Sequence, residues 1–169
     1  MNAARILAYL TPVLLSVVGI LLTNVPVSMT LGLVPPPVLA LAPIYFWTLL
    51  RPDLLPPFAV LALGLLEDLM SGGPPGLWAA GFLGAYALAD RQRDVFAGLI
   101  GFGAVIGFAT AMFAAAGIVY LLGSLLYWQF APVAPMLLES VVTIILYPLI
   151  ALLMGWLQHR FIGPLRSDA

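Results

Sequence analysis

The sequence predicts an all-α transmembrane protein, a six-helix bundle with both termini in the cytoplasm. Of the 169 residues, 63% are hydrophobic and 8% are charged, whereas soluble domains carry about 25% charged residues. Several apolar runs approach the ~20 residues that cross a bilayer. The third observation is the placement of the arginines between these runs. We therefore expect residues 1–169 to form one integral membrane domain.

Short polar or proline-containing connections bound the predicted spans, which cover residues 6–22, 31–50, 54–70, 77–89, 95–126 and 135–157. The first run is interpreted as a span, because residues 23–26 do not form the small-x-small site of a cleavable signal peptide. The charged stretch 90–94 is interpreted as a solvated loop between the fourth and fifth spans.

Basic residues define the predicted orientation. All are arginines, namely Arg5, Arg51, Arg91, Arg93, Arg160 and Arg166. In a six-span chain all of them fall on one side of the membrane, and the positive-inside rule makes that side cytoplasmic. Aromatic residues near the span ends are interpreted as interfacial anchors: Tyr45, Phe46, Trp47 and Trp156 on the arginine side, and Tyr127 and Trp128 on the other.

Three prolines, residues 35–37, interrupt the second predicted span. Because proline removes a backbone donor, the helix must break or begin there. The irregular backbone around Pro36 must then be covered by other helices of this chain or by a partner. The fifth span carries a GxxxG pattern at Gly103 and Gly107, which serves close helix packing within the chain or against another chain.

Three acidic residues, Glu67, Asp68 and Glu139, lie within or at the ends of apolar runs. Ionisable residues at membrane depth are costly and are functional candidates by default. Glu67 and Asp68 diverge by about 100° on a helix, which makes them a poor catalytic pair. Their charge can be removed by protonation, satisfied by the backbone N–H groups of residues 71–73, or paired with a cation from another molecule.

Motifs of common enzyme classes are missing from the sequence. There is no HExxH, CxxC, Walker or GxSxG pattern, and the single His159 sits at the arginine-side end of the last span. We therefore expect no catalytic residue, metal or cofactor, and no nucleic-acid partner.

One segment carries a family resemblance. The pattern G-x-x-x-D-L-x-S-G-x-x-x-G is met by Gly64, Asp68, Leu69, Ser71, Gly72 and Gly76. Together with the chain length, the six short-looped spans and the Leu-Tyr-Pro at residues 146–148, it makes the chain resemble MreD, the rod shape-determining membrane protein of bacteria. The pattern is moderately specific, and the double proline at residues 74–75 departs from it slightly.

The resemblance implies a non-enzymatic scaffold of the cell-elongation complex in the bacterial inner membrane. Its direct partner would be an MreC-like single-span protein, with indirect links to MreB filaments, RodA and a penicillin-binding transpeptidase that build lateral peptidoglycan. The implied fold is similar to the substrate-binding S components of energy-coupling-factor vitamin transporters, so a solute- or lipid-binding subunit is the alternative. The candidate partner-binding residues are Asp68, Glu67, Gly64, Ser71, Gly72, Gly76, Pro36, Gly103 and Gly107.

Overall fold

The predicted all-helical class is confirmed by a computed structural model that describes residues 3–25, 35–96 and 102–161. Within these ranges the chain forms six α-helices, one short 3-10 helix at Pro52–Leu54 and no strand. The helices are α1 (Ala3–Thr23), α2 (Leu41–Leu50), α3 (Pro57–Ser71), α4 (Leu77–Phe96), α5 (Phe102–Tyr127) and α6 (Val133–Phe161).

Two helices in the described part of the chain are long and apolar enough to cross a membrane. Their apolar segments are Gly103–Tyr127 in α5 and Val133–Gln158 in α6. Shorter apolar helical segments occur at Leu10–Thr23 and Leu41–Leu50. Only 17% of the most apolar window of α6 is buried inside the bundle, so this helix presents most of its surface outward.

The boundaries of α2, α4 and α5 differ from those predicted. Helix α2 begins at Leu41 and has 10 residues, because the prolines hold the preceding backbone out of the helical conformation; residues 31–34 of the predicted span lie outside the described residues. The stretch 90–94 is not a loop but continues α4 to Phe96, since Arg and Gln are good helix formers. The predicted fifth span therefore began too early, and α5 has 26 residues.

The non-helical backbone before α2 is held by threonines of two other helices. Leu39 N donates to Thr23 Oγ1 of α1 at 3.1 Å, and Val38 N donates to Thr143 Oγ1 of α6 at 3.0 Å. The Thr23 hydroxyl also lies 2.9 Å from the carbonyl oxygen of Pro37. Within residues 35–40, the chain's own helices thus satisfy backbone groups that the prolines leave outside a helix.

An aromatic cluster forms the centre of the core. Phe108 of α5 stacks on Tyr147 of α6 with ring centroids 4.0 Å apart, and Tyr45 of α2 meets both rings edge-on. Tyr45 and Trp47 are buried, so the interpretation of these two residues as interfacial anchors is wrong. They occupy the core because α2 is central in the bundle, contacting α1, α4, α5 and α6.

Glycines of α4 allow this helix to pack closely against α5. A Cβ added at Gly81 or Gly84 of α4 would meet the side chains of Val119 and Ile118 of α5 at 2.8 and 2.1 Å. The small residues of α4 therefore serve close helix packing within the chain rather than against another chain.

Candidate functional site

The motif that carries the resemblance forms the connection between α3 and α4. Helix α3 ends at Ser71, and Gly72 follows in the left-handed conformation with φ 70°. Gly76, just before α4, also has a positive φ of 100°. Since side-chain-bearing residues rarely adopt such backbone angles, these two glycines are the positions at which the turn requires glycine.

Asp68 joins the two helices through its side chain. Its carboxylate accepts hydrogen bonds from the backbone N–H of Gly76 (2.7 Å), Trp78 (2.7 Å) and Ala79 (3.4 Å). The first N–H groups of a helix lack intrahelical partners and carry partial positive charge. Asp68 of α3 therefore caps the N-terminus of α4, and its side chain is 1% exposed.

The donors to Asp68 differ from those expected. Of the three ways of satisfying the carboxylate considered above, hydrogen bonding to backbone N–H groups is found, but the donors are residues 76, 78 and 79 rather than 71–73. Ser71 instead donates its hydroxyl to the backbone carbonyl of Asp68 at 3.3 Å. The positive φ of Gly76 turns the chain into α4, so that the first N–H groups of α4 point to the Asp68 carboxylate.

Gly64 lies one turn before Asp68, where α3 and α4 meet. A Cβ added here would lie 2.3 Å from the Cα of Ala79, which is backbone and cannot move aside independently. The absence of a side chain at Gly64 thus lets the first turn of α4 approach α3 closely enough for Asp68 to cap it.

Glu67 faces a different neighbour from Asp68, as the angular spacing predicted. Its Oε1 accepts a hydrogen bond from Asn24 Nδ2 at the end of α1 (3.0 Å). Glu67 is 2% exposed, and its Oε2 is buried without a hydrogen-bond partner among the described residues. The carboxylate is therefore half satisfied, which is costly for a buried group.

Glu139 of α6 is close enough to Glu67 for their charges to interact. It lines a cavity of about 600 Å³ that α5 and α6 form with the start of α4. Other residues of the wall include Trp78, Met112, Val119, Ser124 and Met136. We call the end of the bundle that holds Glu67, Asp68 and Glu139 the acidic end.

The remaining candidates divide between the two ends of the molecule. Pro36 is exposed and precedes Pro37, whose carbonyl meets Thr23 near the acidic end. Gly103 and Gly107 lie in the first two turns of α5, whereas the cavity involves the later turns of that helix. The structure thus brings the motif residues, Glu67 and Pro36 to one end and leaves the GxxxG glycines outside that group.

The opposite end carries a local ion pair. Arg51 Nη2 lies 3.0 Å from Asp53 Oδ2, and Arg51 Nε donates to Asp53 Oδ1 at 3.1 Å. These hydrogen bonds and the charge of Arg51 lower the pKa of Asp53 below its ordinary value of 3.8. Asp53 lies in the short 3-10 helix Pro52–Leu54, which begins directly after Arg51.

Three contributors to the site were not among the candidates. Asn24 is the partner of Glu67, Trp78 links the Asp68 cap to the cavity wall, and Ser124 supplies a buried hydroxyl in that wall. A polar residue directly after an apolar helix was the available signal for Asn24. No signal in the sequence indicated the role of Trp78, because that role depends on the path of the α3–α4 turn.

Comparison of the chain with models of protein families, with curated proteins and with solved structures finds no match.

Proposed function

We propose that the protein is a non-enzymatic scaffold of the bacterial cell-elongation complex. It spans the inner membrane six times with both termini in the cytoplasm, and binds an MreC-like single-span partner that links it to peptidoglycan synthesis and cell shape. In this orientation the arginines face the cytoplasm and the acidic end faces the periplasm.

The observation that carries this proposal is that the motif residues together shape one connection between two helices. Gly64, Asp68, Gly72 and Gly76 each have a separate geometric task in one α3–α4 connection. A pattern of this kind supports a family resemblance better than isolated matches in an apolar sequence would. It favours a role in shaping a surface, because the Asp68 carboxylate is fully engaged by backbone donors.

The surface of helix α6 supports residence in a membrane. Its exposed apolar side chains recur every three or four residues and so share one face: Leu138, Val141, Ile145, Leu149, Leu152 and Trp156. A continuous apolar face of this length is suited to lipid or to a partner's transmembrane helix.

The partner-binding surface that we propose is the outer side of the α3–α4 connection. The four residues of this turn surface are exposed: Leu69, Met70, Ser71 and Gly72. These residues are exposed whereas Asp68 is buried, so a partner can contact them without displacing Asp68 from α4. Leu69 is the most exposed of the large apolar residues there, at 73%.

Co-purification with an MreC-like partner tests the proposal. Leu69→Ser should lower partner recovery by about five-fold or more, the effect of losing one interface anchor. Phe58→Ser is the matched control, because Phe58 is also 73% exposed and lies in the first turn of α3, outside both the turn surface and the apolar face of α6. Equal recovery with both variants would reject docking at the turn surface. No recovery with the unaltered chain would reject the scaffold function itself.

The alternative, a solute- or lipid-binding membrane component similar to a vitamin-transporter S subunit, is favoured by one observation. This is the cavity beside Glu139, whose volume lies in the range of small-molecule sites.

A further inference from the structure

We propose that the cavity between α4, α5 and α6 binds a small organic molecule that has an apolar body and one cationic group, with Glu139 as the counter-ion. The proposal does not depend on the scaffold function, because a membrane scaffold can carry a ligand site or lack one.

The shape and lining of the cavity fit such a ligand. Its volume is about 600 Å³, within the roughly 300–1,000 Å³ of small-molecule pockets. Side chains such as Met112, Val119 and Met136 make most of the wall apolar. The Tyr120 hydroxyl donates to the carbonyl of Ala131 at 3.1 Å and so holds the α5–α6 connection beside the cavity.

Two polar groups of the wall lack partners. The carboxylate of Glu139 makes no hydrogen bond or ion pair with the described residues, and only its backbone carbonyl is engaged, by Thr143. The hydroxyl oxygen of Ser124 is buried and has no hydrogen-bond partner within the described ranges. The unmade hydrogen bond of the buried Ser124 hydroxyl is costly, and a ligand with hydrogen-bond donors would satisfy both this hydroxyl and the Glu139 carboxylate.

The positive charge of the proposed ligand follows from the distribution of basic residues in the chain. The sequence has no arginine, lysine or histidine between residues 94 and 158, 52 and 90, or 6 and 50. Glu139 therefore has no basic residue near it in the chain, while the buried Glu67 adds a second negative charge close by. A cation is favoured in this field and an anion is opposed, because the two carboxylates attract a positive charge and repel a negative one.

The Asp68 cap contributes to the cavity indirectly. Trp78 forms part of the wall, and its backbone N–H is held by Asp68 Oδ1 at 2.7 Å. This hydrogen bond fixes the backbone of Trp78 before a ligand arrives, which reduces the entropy that ordering this residue on binding would otherwise cost.

The test uses the purified full-length protein in detergent at neutral pH and two probes that differ in charge, 4-phenylbutylamine and 4-phenylbutyrate. Binding is measured by equilibrium dialysis. The amine should bind saturably, and at least about ten-fold more tightly than the carboxylate, because only the amine can form a charge-assisted hydrogen bond with Glu139.

Two pairs of variants locate the site. Glu139→Gln should weaken amine binding by about ten-fold or more, whereas Asp94→Asn, an equal charge change at an exposed residue of α4, should not. Gly123→Leu should abolish binding, because Gly123 lines the cavity and has open space for a side chain. Gly117→Leu is its control: Gly117 lies on the same helix with equally open space but is not in the cavity wall.

A photoreactive diazirine derivative of the amine gives a readout that needs no variant. Labelling confined to residues 112–139 and Trp78 supports the proposal, and labelling elsewhere overturns it. Equal affinity for amine and carboxylate, undiminished binding to Gly123→Leu, or no saturable amine binding would each overturn it as well. Occupation of the cavity by a segment of a co-purified protein would also count against a small-molecule site.

Discussion

The carboxylate oxygen Oδ1 of Asp68 lies 2.7 Å from the backbone nitrogen of Trp78, ten residues further along the chain. A side chain of α3 thereby supplies the cap that α4 does not provide for itself, since Gly76, Leu77 and Trp78 have no side-chain acceptor. Because Trp78 also lines the cavity, this contact connects the sequence motif to the second candidate site.

Removal of the Asp68 cap should destabilise the protein. Asp68→Asn keeps one acceptor but places an amide NH2 group against a backbone N–H, so we expect a loss of about 1–3 kcal/mol. The measurement is thermal unfolding in detergent, followed through the fluorescence of the 4 tryptophans. Asp94→Asn, at an exposed site, should unfold like the unaltered chain. An unchanged midpoint for Asp68→Asn would show that the cap does not hold the turn.

A methyl group at Gly64 should separate α3 from α4. In Gly64→Ala the new Cβ would lie 2.3 Å from the Cα of Ala79, and overpacking of this kind costs about 1–3 kcal/mol. Gly117→Ala is the control, because nothing lies within 4 Å of its added Cβ and alanine favours the helix. The two unfolding midpoints should therefore move in opposite directions. A stabilised Gly64→Ala would contradict the close contact between the helices.

The Thr143 hydroxyl should contribute to stability through its hydrogen bond with Val38 more than the side chain does through its volume. Thr143→Val keeps the volume but leaves the N–H of Val38 without its acceptor at 3.0 Å, a buried donor whose loss costs about 1–3 kcal/mol. Thr110→Val is the comparison, since Thr110 is exposed. Hydrogen exchange of the Val38 amide, measured by mass spectrometry of the segment, should accelerate only in Thr143→Val. Equal exchange in both variants would mean that another group holds this backbone.

The Arg51–Asp53 pair should give a small contribution to stability that depends on pH. The pKa of Asp53 is lowered in the folded state, so its contribution is present above the unfolded value near 3.8 and is lost as the pH falls through the lower folded value. Because Asp53 is exposed, the effect should be about 0–1 kcal/mol. Unfolding midpoints of the unaltered chain and Asp53→Asn should differ slightly at pH 6 and converge as the pH falls through the lowered folded pKa of Asp53. A difference that grows on acidification would contradict this sign.

The proposed orientation can be tested because the chain contains no cysteine. Single cysteines at Asp94 and Gln129, both exposed, should react with an impermeant maleimide from opposite sides of the membrane. In intact spheroplasts we expect labelling of Gln129→Cys alone, and labelling of Asp94→Cys only after the membrane is opened. Reaction of both from the same side would exclude the six-span arrangement.

Helix class and the position of the α3–α4 turn could be predicted from the sequence, because apolar runs, glycines and prolines act locally. The divergence of Glu67 and Asp68 also followed from helix geometry alone. The boundary between α4 and α5 could not be predicted, since charged residues such as Arg91 continue a helix as readily as they end one.

Contacts between distant parts of the chain could not be predicted. The burial of Tyr45 and Trp47 depends on the central position of α2, and nothing in the local pattern distinguishes a core aromatic residue from an interfacial one. The donors to Asp68 depend on the path of the turn. The position of the unpartnered Glu139 carboxylate beside a cavity could not be predicted either, because the cavity depends on how α4, α5 and α6 pack together.

The cap across the α3–α4 turn has a consequence for biosynthesis. When α3 leaves the ribosome, Asp68 is an uncompensated charge at the end of an apolar segment, because its backbone donors at residues 76, 78 and 79 emerge only afterwards. Helix α3 is therefore poorly suited to enter a bilayer by itself, because an unpaired charge opposes insertion. In the six-span arrangement that we propose, insertion becomes favourable when α4 follows, so we expect the two helices to enter the lipid as a hairpin.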